Sequence, residues 1–512
     1  MNEFEMNRRN FMQSMGSGAL AAASAGLAMN LLPTAAEAAQ PVAFPDNWDE
    51  ELDFVIIGTG YAGYAAAIEI GKSGGAVTMI EKNSVIGGNS VISGGGFACW
   101  TDMLQLRQKL NRGEDSAELH YRDTLKGGDY YNIPDLVRVM ANGAPDALNL
   151  LIEEGGLELR PMLNRIGGHS AYRGHISIDG TGKTLIDAQT RIANKYNIKV
   201  RTENKVARIW RKGPQSPVEG IQVEAGRRGK RNIKVNKGLV IAAGGFGNDV
   251  AMRSLFNPNI TPAINSTNQK NATGEMIRHA QSIGADALQL CFIQLYPTAD
   301  PDTGALDAYA LYPSRAPGNG GIFVNTKGVR FVSELERRDV VSRAEIATGA
   351  GRTYCIFSEA MIPRFTVPEE LETGLKVKRV LKADTISELA RMAGLPEKEL
   401  EDTVKRHNQF FADKKDPQFN KPITPQMIPL DKGPFYIVAQ WPSVHHCMGG
   451  LRINAGGQVV DIWGDPVPNL YAAGEVTGGV HGSNRLGGNA IPDALVFGKV
   501  AGAAAVAKAP KA

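Results

Sequence analysis

Three glycines in the spacing G-x-G-x-x-G, Gly58, Gly60 and Gly63, stand where an apolar run gives way to a helical pattern. Glycines so placed hold a pyrophosphate. The first permits a tight turn, the second lets backbone approach the anion, and the third brings helix and strand close together. The helix N-terminus, which includes Ala62, offers free N–H groups to the phosphate. Glu81, 18 residues after Gly63, ends the next apolar run and can accept ribose hydroxyl hydrogen bonds, with Lys82 beside it. A lone glycine triplet means little. Between a strand and a helix, with an acid at this distance, it marks a dinucleotide site.

The elements that must position these residues are legible in "LDFVIIGTGYAGYAAAIEIGKSGGAVTMIEKN". Phe54 to Ile57 reads as a buried parallel strand, "YAAAIEIGKSG" as a helix and "AVTMIEK" as the next strand. More glycine-rich segments follow. One contains Gly87, Gly88, Asn89 and Ser90, then Gly94 and Gly95. "KGLVIAAGGFGND" is another buried strand running into Ala243, Gly244 and Gly245. Near the C-terminus "YAAGEVTGGVHGSNRLGGNAIPDALVFGKVAG" supplies Gly474 and Glu475, then opens a helix at Asn489, Ala490 and Ile491. Val206 is assigned to the same set. One small dinucleotide needs one fingerprint; contacts spread over the whole chain suit FAD, elongated and with its isoalloxazine inside the protein.

With 512 residues the chain is too long for one hydrophobic core, so two domains or a large insertion are expected. A formal charge of +3 is too small to imply nucleic acid or an anionic membrane as partner. Residues 1–38 read as an export signal: Arg8 and Arg9 precede a weakly apolar Ala/Gly/Ser stretch that ends in the small-x-small pattern Ala36 to Ala38. The expected location is therefore the periplasm, reached by the twin-arginine route. No other run is expected to reach the roughly 18 apolar residues of a membrane span. The four cysteines (Cys99, Cys291, Cys355, Cys447) are scattered singly. There is no C-x-x-C-H for a c-type haem and no C-x-x-C pair to suggest a metal, and the four are read as structural. "DGTGKT", Asp179 to Thr184, fails as a phosphate loop because Ser177 stands where the motif needs glycine; it reads as the turn into a helix.

The glycine segments, with "HHCMGG" and "YAAGEVTGGVHGSNRLGGNA", resemble the flavoprotein family of fumarate reductases and succinate dehydrogenases. They are most similar to its soluble flavocytochrome c branch, which includes urocanate reductases. The resemblance implies an α/β fold: a discontinuous Rossmann-like FAD-binding domain, residues 51–290 and 446–512, interrupted by an α+β capping domain, residues 291–445. Members with covalent flavin carry a histidine in the second glycine segment. "GGNSVISGGG" has none, so noncovalent FAD is expected. A haem-less subunit of this kind implies a separate electron donor, a c-type cytochrome or a quinol-linked partner. No stable membrane insertion is expected.

The same resemblance assigns the chemistry. His445 and Arg485 would anchor a substrate carboxylate, and Arg338 would protonate the α-carbon while hydride passes from flavin N5 to the β-carbon of a C=C bond. Two positions depart from the family pattern. Tyr296 in "QLYPT" replaces a histidine that helps hold a second carboxylate, and Ser314 and Pro317 replace a glutamate and an arginine of the proton relay. Arg315 is nearby, equally readable as part of a relay or as a solvated loop residue. His169 and His175 are read as structural. Fumarate should then bind badly, and the expected substrate is an α,β-unsaturated monocarboxylate: urocanate first, with acrylate, methacrylate and cinnamate-type acids behind it. Alternatives are a fumarate reductase, a ketosteroid-type dehydrogenase running in the desaturating direction, and a non-catalytic flavin subunit.

Overall fold

The computed structural model describes residues 43–226 and 229–509; the expected export signal lies outside them. From residue 46 onward the described residues form one compact unit. In chain order, β1 (Glu50–Ile57), α1 (Tyr61–Lys72) and β2 (Val77–Ile80) come first. After α2 (Ala117–Gly127) come β3 (Lys199–Arg201), β4 (Lys205–Arg211), β5 (Val218–Glu224) and β6 (Lys230–Ile241). A second group follows: β7 (Ile293–Ala299), α3 (Leu311–Arg315), β8 (Ile322–Val324), α4 (Arg338–Ala347), β9 (Thr353–Ser358), β10 (Val380–Ala383) and β11 (Phe435–Cys447). The chain closes with β12 (Gln458–Val460), β13 (Pro466–Ala472) and α5 (Ala490–Lys508).

The larger sheet has the order β12-β13-β6-β1-β2-β3, and β5 joins β4 to the edge of β6. Strands β13, β6, β1, β2 and β3 run parallel. Phe54 to Ile57 are all buried because both faces of this sheet are covered. Helices α1 and α5 press together on one face, and their Ala/Gly composition is what allows it. A Cβ on Gly498 would lie 2.4 Å from the Ala62 carbonyl oxygen, and one on Gly502 would lie 2.7 Å from that of Ala66. This corrects one expectation. With a mean hydropathy of 1.5, α5 is long and apolar enough to cross a bilayer, but much of it is buried against α1 and the sheet.

The second sheet is antiparallel, β7-β11-β9-β8, with β10 also on β11. It has its own hydrophobic cluster around Tyr312, Phe323, Phe357 and Tyr436, the last two stacked at 5.5 Å. The architecture is an α/β FAD-binding fold with a cap. Strand β11 belongs to both parts of the argument: its first half pairs with β9 and β10 in the cap core, and its last residues pair with β7. It therefore carries His445 out of a rigid core to the place where the two layers meet. The Pro-rich segment before it, 416–434, has no regular secondary structure, as its composition predicts.

Candidate active site

One cavity of about 1630 Å³ runs from the C-terminal ends of β1 and β2 to the inner face of the cap. Gly58 and Gly60 line its start, with Ala62, Glu81 and Lys82. Gly58 has φ +105°, and a Cβ there would sit 2.3 Å from the Ala242 carbonyl oxygen, so only glycine makes this turn. The Glu81 carboxylate is fixed by Thr59 Oγ1 (2.6 Å) and the Asn83 N–H (2.9 Å). Lys82 reaches Glu275 at 2.8 Å. Gly88, Asn89, Ser90, Gly94, Gly95, Val206, Ala243 and Gly244 line the middle of the cavity, and Gly474, Glu475, Ala490 and Ile491 its far wall. A Cβ on Gly244 would meet no protein atom within 4 Å, so the missing side chain leaves open space on the cavity wall. An elongated dinucleotide fits this cradle.

Two residues expected in that set do not line it. Gly63 packs instead: a Cβ there would lie 2.1 Å from the Gly58 carbonyl oxygen, so it closes the strand-to-helix turn from behind. Asn489 is fully buried, donates to Thr124 Oγ1 (3.0 Å) and accepts from His120 Nε2 (2.9 Å). Both ends of its amide are consumed in tying α2 to the start of α5.

At the other end of the cavity four expected residues converge. Arg338 opens α4, Arg485 lies on the loop before α5, His445 is near the end of β11 and Tyr296 is on β7. The Arg338 guanidinium lies 4.8 Å over the Tyr296 ring, and the Tyr296 and His445 rings are 4.9 Å apart. His445 Nδ1 is 2.7 Å from Thr267 Oγ1. Gln294 joins the group. Its amide oxygen accepts from Arg338 Nη1 (3.1 Å) and Arg485 Nη2 (2.9 Å), and its Nε2 donates to Asn484 Oδ1 and the Arg485 carbonyl. Gln294 and Thr267 were not among the residues expected at the site. For Gln294 a signal existed, because residues two apart on a strand share a face, and Gln294 and Tyr296 lie two apart. Thr267 had none.

The electrostatics of this group are lopsided. Among the described residues neither Arg338 nor Arg485 has a carboxylate within 4 Å; their shared acceptor is a neutral amide. The Arg485 Nε, also buried, has no hydrogen-bond partner among the described residues. Burial, and then repulsion from Arg338, pull the proton affinity of Arg485 well below its usual range. Burial lowers that of Arg338 as well. His445 is held well below its ordinary range by burial and by both arginines, so it is neutral at pH 7. A pocket of this kind lacks an anion.

The departures from the family pattern have structural consequences. The Tyr296 hydroxyl donates to the Ala310 carbonyl (3.2 Å) and the residue is only 2% exposed, so it offers its ring face, not its OH. Ser314 is exposed and bonds to the Leu311 carbonyl (2.8 Å). Arg315 is half-buried on the cavity wall and donates to the Phe365 carbonyl (3.2 Å), so it is not a solvated loop residue. His169 is held between the Gly487 carbonyl (2.7 Å) and Arg173 (3.1 Å), and His175 between Asp102 and the Arg173 carbonyl, both at 3.1 Å; these are framework contacts. Helix Gly182–Asn194 starts within "DGTGKT", where Asp179 Oδ1 accepts from the Thr181 N–H at 3.1 Å in the turn before it.

A family model described as "FAD binding domain" matches residues 53–491. The chain is 37% identical over 471 residues to the urocanate reductase of Eggerthella lenta, which covers 91% of this chain and 76% of that protein. The chain belongs to the FAD-dependent fumarate reductase family. It is also 35% identical to a cytochrome-type fumarate reductase of Shewanella frigidimarina over 88% of this chain and 73% of that protein. With the acrylate reductase flavoprotein subunit of Shewanella woodyi it shares 32% identity over 98% of both chains. Its fold matches the open conformation of a flavocytochrome c3 fumarate reductase with a TM-score of 0.72 at 31% identity, covering 90% of this chain and 79% of that one. A 3-ketosteroid Δ1-dehydrogenase from Sterolibacterium denitrificans matches with a TM-score of 0.69 at 19% identity, covering 90% and 100%, which is a likeness of fold alone. The protein is an FAD-dependent enoate reductase, and FAD is its cofactor.

Proposed function

We propose that this reductase acts on the C=C bond of an α,β-unsaturated monocarboxylate in the periplasm. One observation carries the reading: buried Arg485 and half-buried Arg338 converge on a neutral glutamine, and among the described residues neither has a carboxylate partner. Such charge is retained where an outside anion completes it. Arg485 and the neutral imidazole of His445 take the substrate carboxylate, Arg485 through its planar fork. Arg338 faces the α-carbon as proton donor. Arginine is normally a poor acid, but burial already disfavours its charged form and lowers the cost of releasing the proton. Noncovalently bound FAD supplies the hydride.

The other end of the substrate lies against the Tyr296 ring. With its hydroxyl committed to Ala310, that surface suits a planar neutral group better than a second carboxylate. Urocanate is the first candidate, ahead of acrylate, methacrylate and cinnamate-type acids. Relatives named urocanate reductase and acrylate reductase flavoprotein subunit support an enoate as the substrate class. Electrons come from a separate c-type cytochrome or a quinol-linked partner; full turnover with NADH alone would refute that. The twin-arginine reading of residues 1–38 requires that Arg8→Lys with Arg9→Lys leave the protein in the cytoplasm, as read by cell fractionation.

The substrate test is anaerobic re-oxidation of the photoreduced flavin by a panel of enoates. Urocanate or another monocarboxylate should oxidise it faster than fumarate. Faster oxidation by fumarate would make this a fumarate reductase. Response to none of the acids would overturn the reading.

A further inference from the structure

Helix α2 ends at Gly127, and the chain then crosses the rim of the cavity as Gly128–Asp129–Tyr130–Tyr131. Asp129 and Tyr130 both line the cavity and both have left-handed backbone, φ +53° and +60°. Two successive non-glycine residues in that region persist only where their surroundings hold them there, and such strain gathers at functional sites. The backbone is held from the Arg485 loop: the Ser483 N–H donates to the Gly128 carbonyl at 3.0 Å. The Asp129 carboxylate is held from two directions. Arg337 addresses it with both terminal nitrogens, Nη2 to Oδ2 at 3.0 Å and Nη1 to Oδ1, and Ser483 Oγ donates to Oδ2.

The partners of Asp129 are what give it meaning. Arg337 immediately precedes Arg338, and Ser483 stands two residues before Arg485. One exposed carboxylate thus joins the two segments that deliver the two arginines meeting on Gln294. The far edge of Arg337 is braced by Asp339, Nε to Oδ1 at 3.0 Å and Nη2 to Oδ2 at 2.9 Å, and Arg343 reaches the same Asp339 oxygen at 2.9 Å. The side chains of Arg337 and Asp129 are 23% and 44% exposed. A pair this wet contributes little to folding stability and is weakened by salt. Its geometry nevertheless spans the FAD-binding layer and the first turn of the cap helix α4, at the mouth of the cavity.

We infer that Asp129 is a positioning residue: through Arg337 and Ser483 it sets the separation of Arg338 and Arg485 and clasps the cap to the rim during turnover. This rests on the proposed roles of those two arginines. The strained turn is then explained, because an unstrained path would carry the carboxylate away from Arg337.

A double-mutant cycle tests it, with Asp129→Asn, which keeps shape and an acceptor for Ser483 but loses the charge, and Arg337→Met. The readouts are kcat and KM for the fastest acid among urocanate, acrylate, methacrylate and cinnamate, together with flavin content and melting temperature. Each single variant should lower kcat about ten-fold, the double variant no more than either single, as coupled neighbours require. Flavin content and melting temperature should hardly move. Arg337→Lys, which restores charge without the fork, should recover part of the loss. Additive kcat losses, unchanged kcat in Asp129→Asn, or a fall in melting temperature that matches the activity loss would overturn the inference. If wild type reduces none of the four acids, the proposed function has failed and not the clasp; the rate of flavin reduction of the oxidised protein by a viologen radical, and its sensitivity to salt, then reports whether the rim opens more readily in Asp129→Asn. Equal behaviour of the two proteins in that assay would also overturn it.

Discussion

Arg330 and Arg338 stand eight positions apart in the chain, and their surroundings are opposites. Arg330 is matched in charge: Glu334 accepts from its Nε and Nη2 at 2.8 and 3.0 Å, and Asp416 accepts from Nη2 at 2.9 Å, although its Nη1 makes no hydrogen bond among the described residues. Lys421 lies 3.3 Å from the same Glu334, and these four side chains are almost wholly buried. Burial pushes the Glu334 carboxyl up, but Lys421 and Arg330 outweigh it and bring it down to about 2. Arg338, with Arg485 beside it, has the Gln294 amide and the Tyr296 ring but no carboxylate within 4 Å among the described residues. The fold thus shows that it can match buried cations with carboxylates and, at the cavity, does not. A matched cluster is architecture; the unmatched one at the end of the cavity is the place that the proposed function assigns to the substrate carboxylate.

The strongest way to break this contrast is Arg338→Ala. It should retain flavin and lose about 10³-fold in steady-state enoate reduction, the scale of a lost proton donor, measured with a viologen-linked assay. Substantial retained turnover would move the acid elsewhere. Next comes stability. Glu334→Gln takes the carboxylate from buried Lys421 and leaves Arg330 with Asp416 alone, and should cost about 3–5 kcal/mol in denaturant unfolding. Arg485→Met removes a cation that has no carboxylate partner among the described residues and gives up only bonds to the Gln294 amide and the Leu486 carbonyl, so without substrate it should cost less. Equal losses would erase the distinction.

A third prediction uses pH. Burial raises the Glu345 carboxyl on α4 from 4.5 to about 8, with Thr353 and Gln440 only partly opposing it. Its folded pKa exceeds its unfolded one, so its contribution to stability is full below about 4.5 and is lost as pH rises through about 8. Stability should therefore fall with a slope of up to about 1.4 kcal/mol per pH unit in that window. Glu345→Gln should remove that part of the slope; an unchanged slope would mean the carboxyl is not neutral. The smallest effect is expected from Tyr296→His. It should improve fumarate, relative to monocarboxylates, by only a few-fold in the flavin re-oxidation assay, because Ser314 and Pro317 still lack the groups of the family relay. Improvement of all acids alike would show that Tyr296 does not select substrate.

The FAD-binding end was readable because its rules are local. Gly58, Gly60 and Glu81 take their meaning from neighbours within one strand–turn–helix–strand unit, and the structure keeps them on the cavity. Where a prediction reached beyond that unit it was less secure. Asn489 sits one residue from Ala490, which lines the cavity, yet faces the opposite way onto Thr124 and His120. The apolar length of α5 says nothing of α1, the helix it packs against.

Spacing and residue type specified a dinucleotide-binding unit, and the resemblance to the fumarate reductase family added the candidate arginines and histidine and the tyrosine that departs from its pattern. They did so because hydrophobic period, glycine turns and motif register are properties of adjacent residues. Which cations are matched was decided only in three dimensions. Gln294 and Arg485 are 191 residues apart, and Asp129 and Arg337 are 208 apart. Electrostatic compensation depends on distance through space, and the chain order carries no record of it.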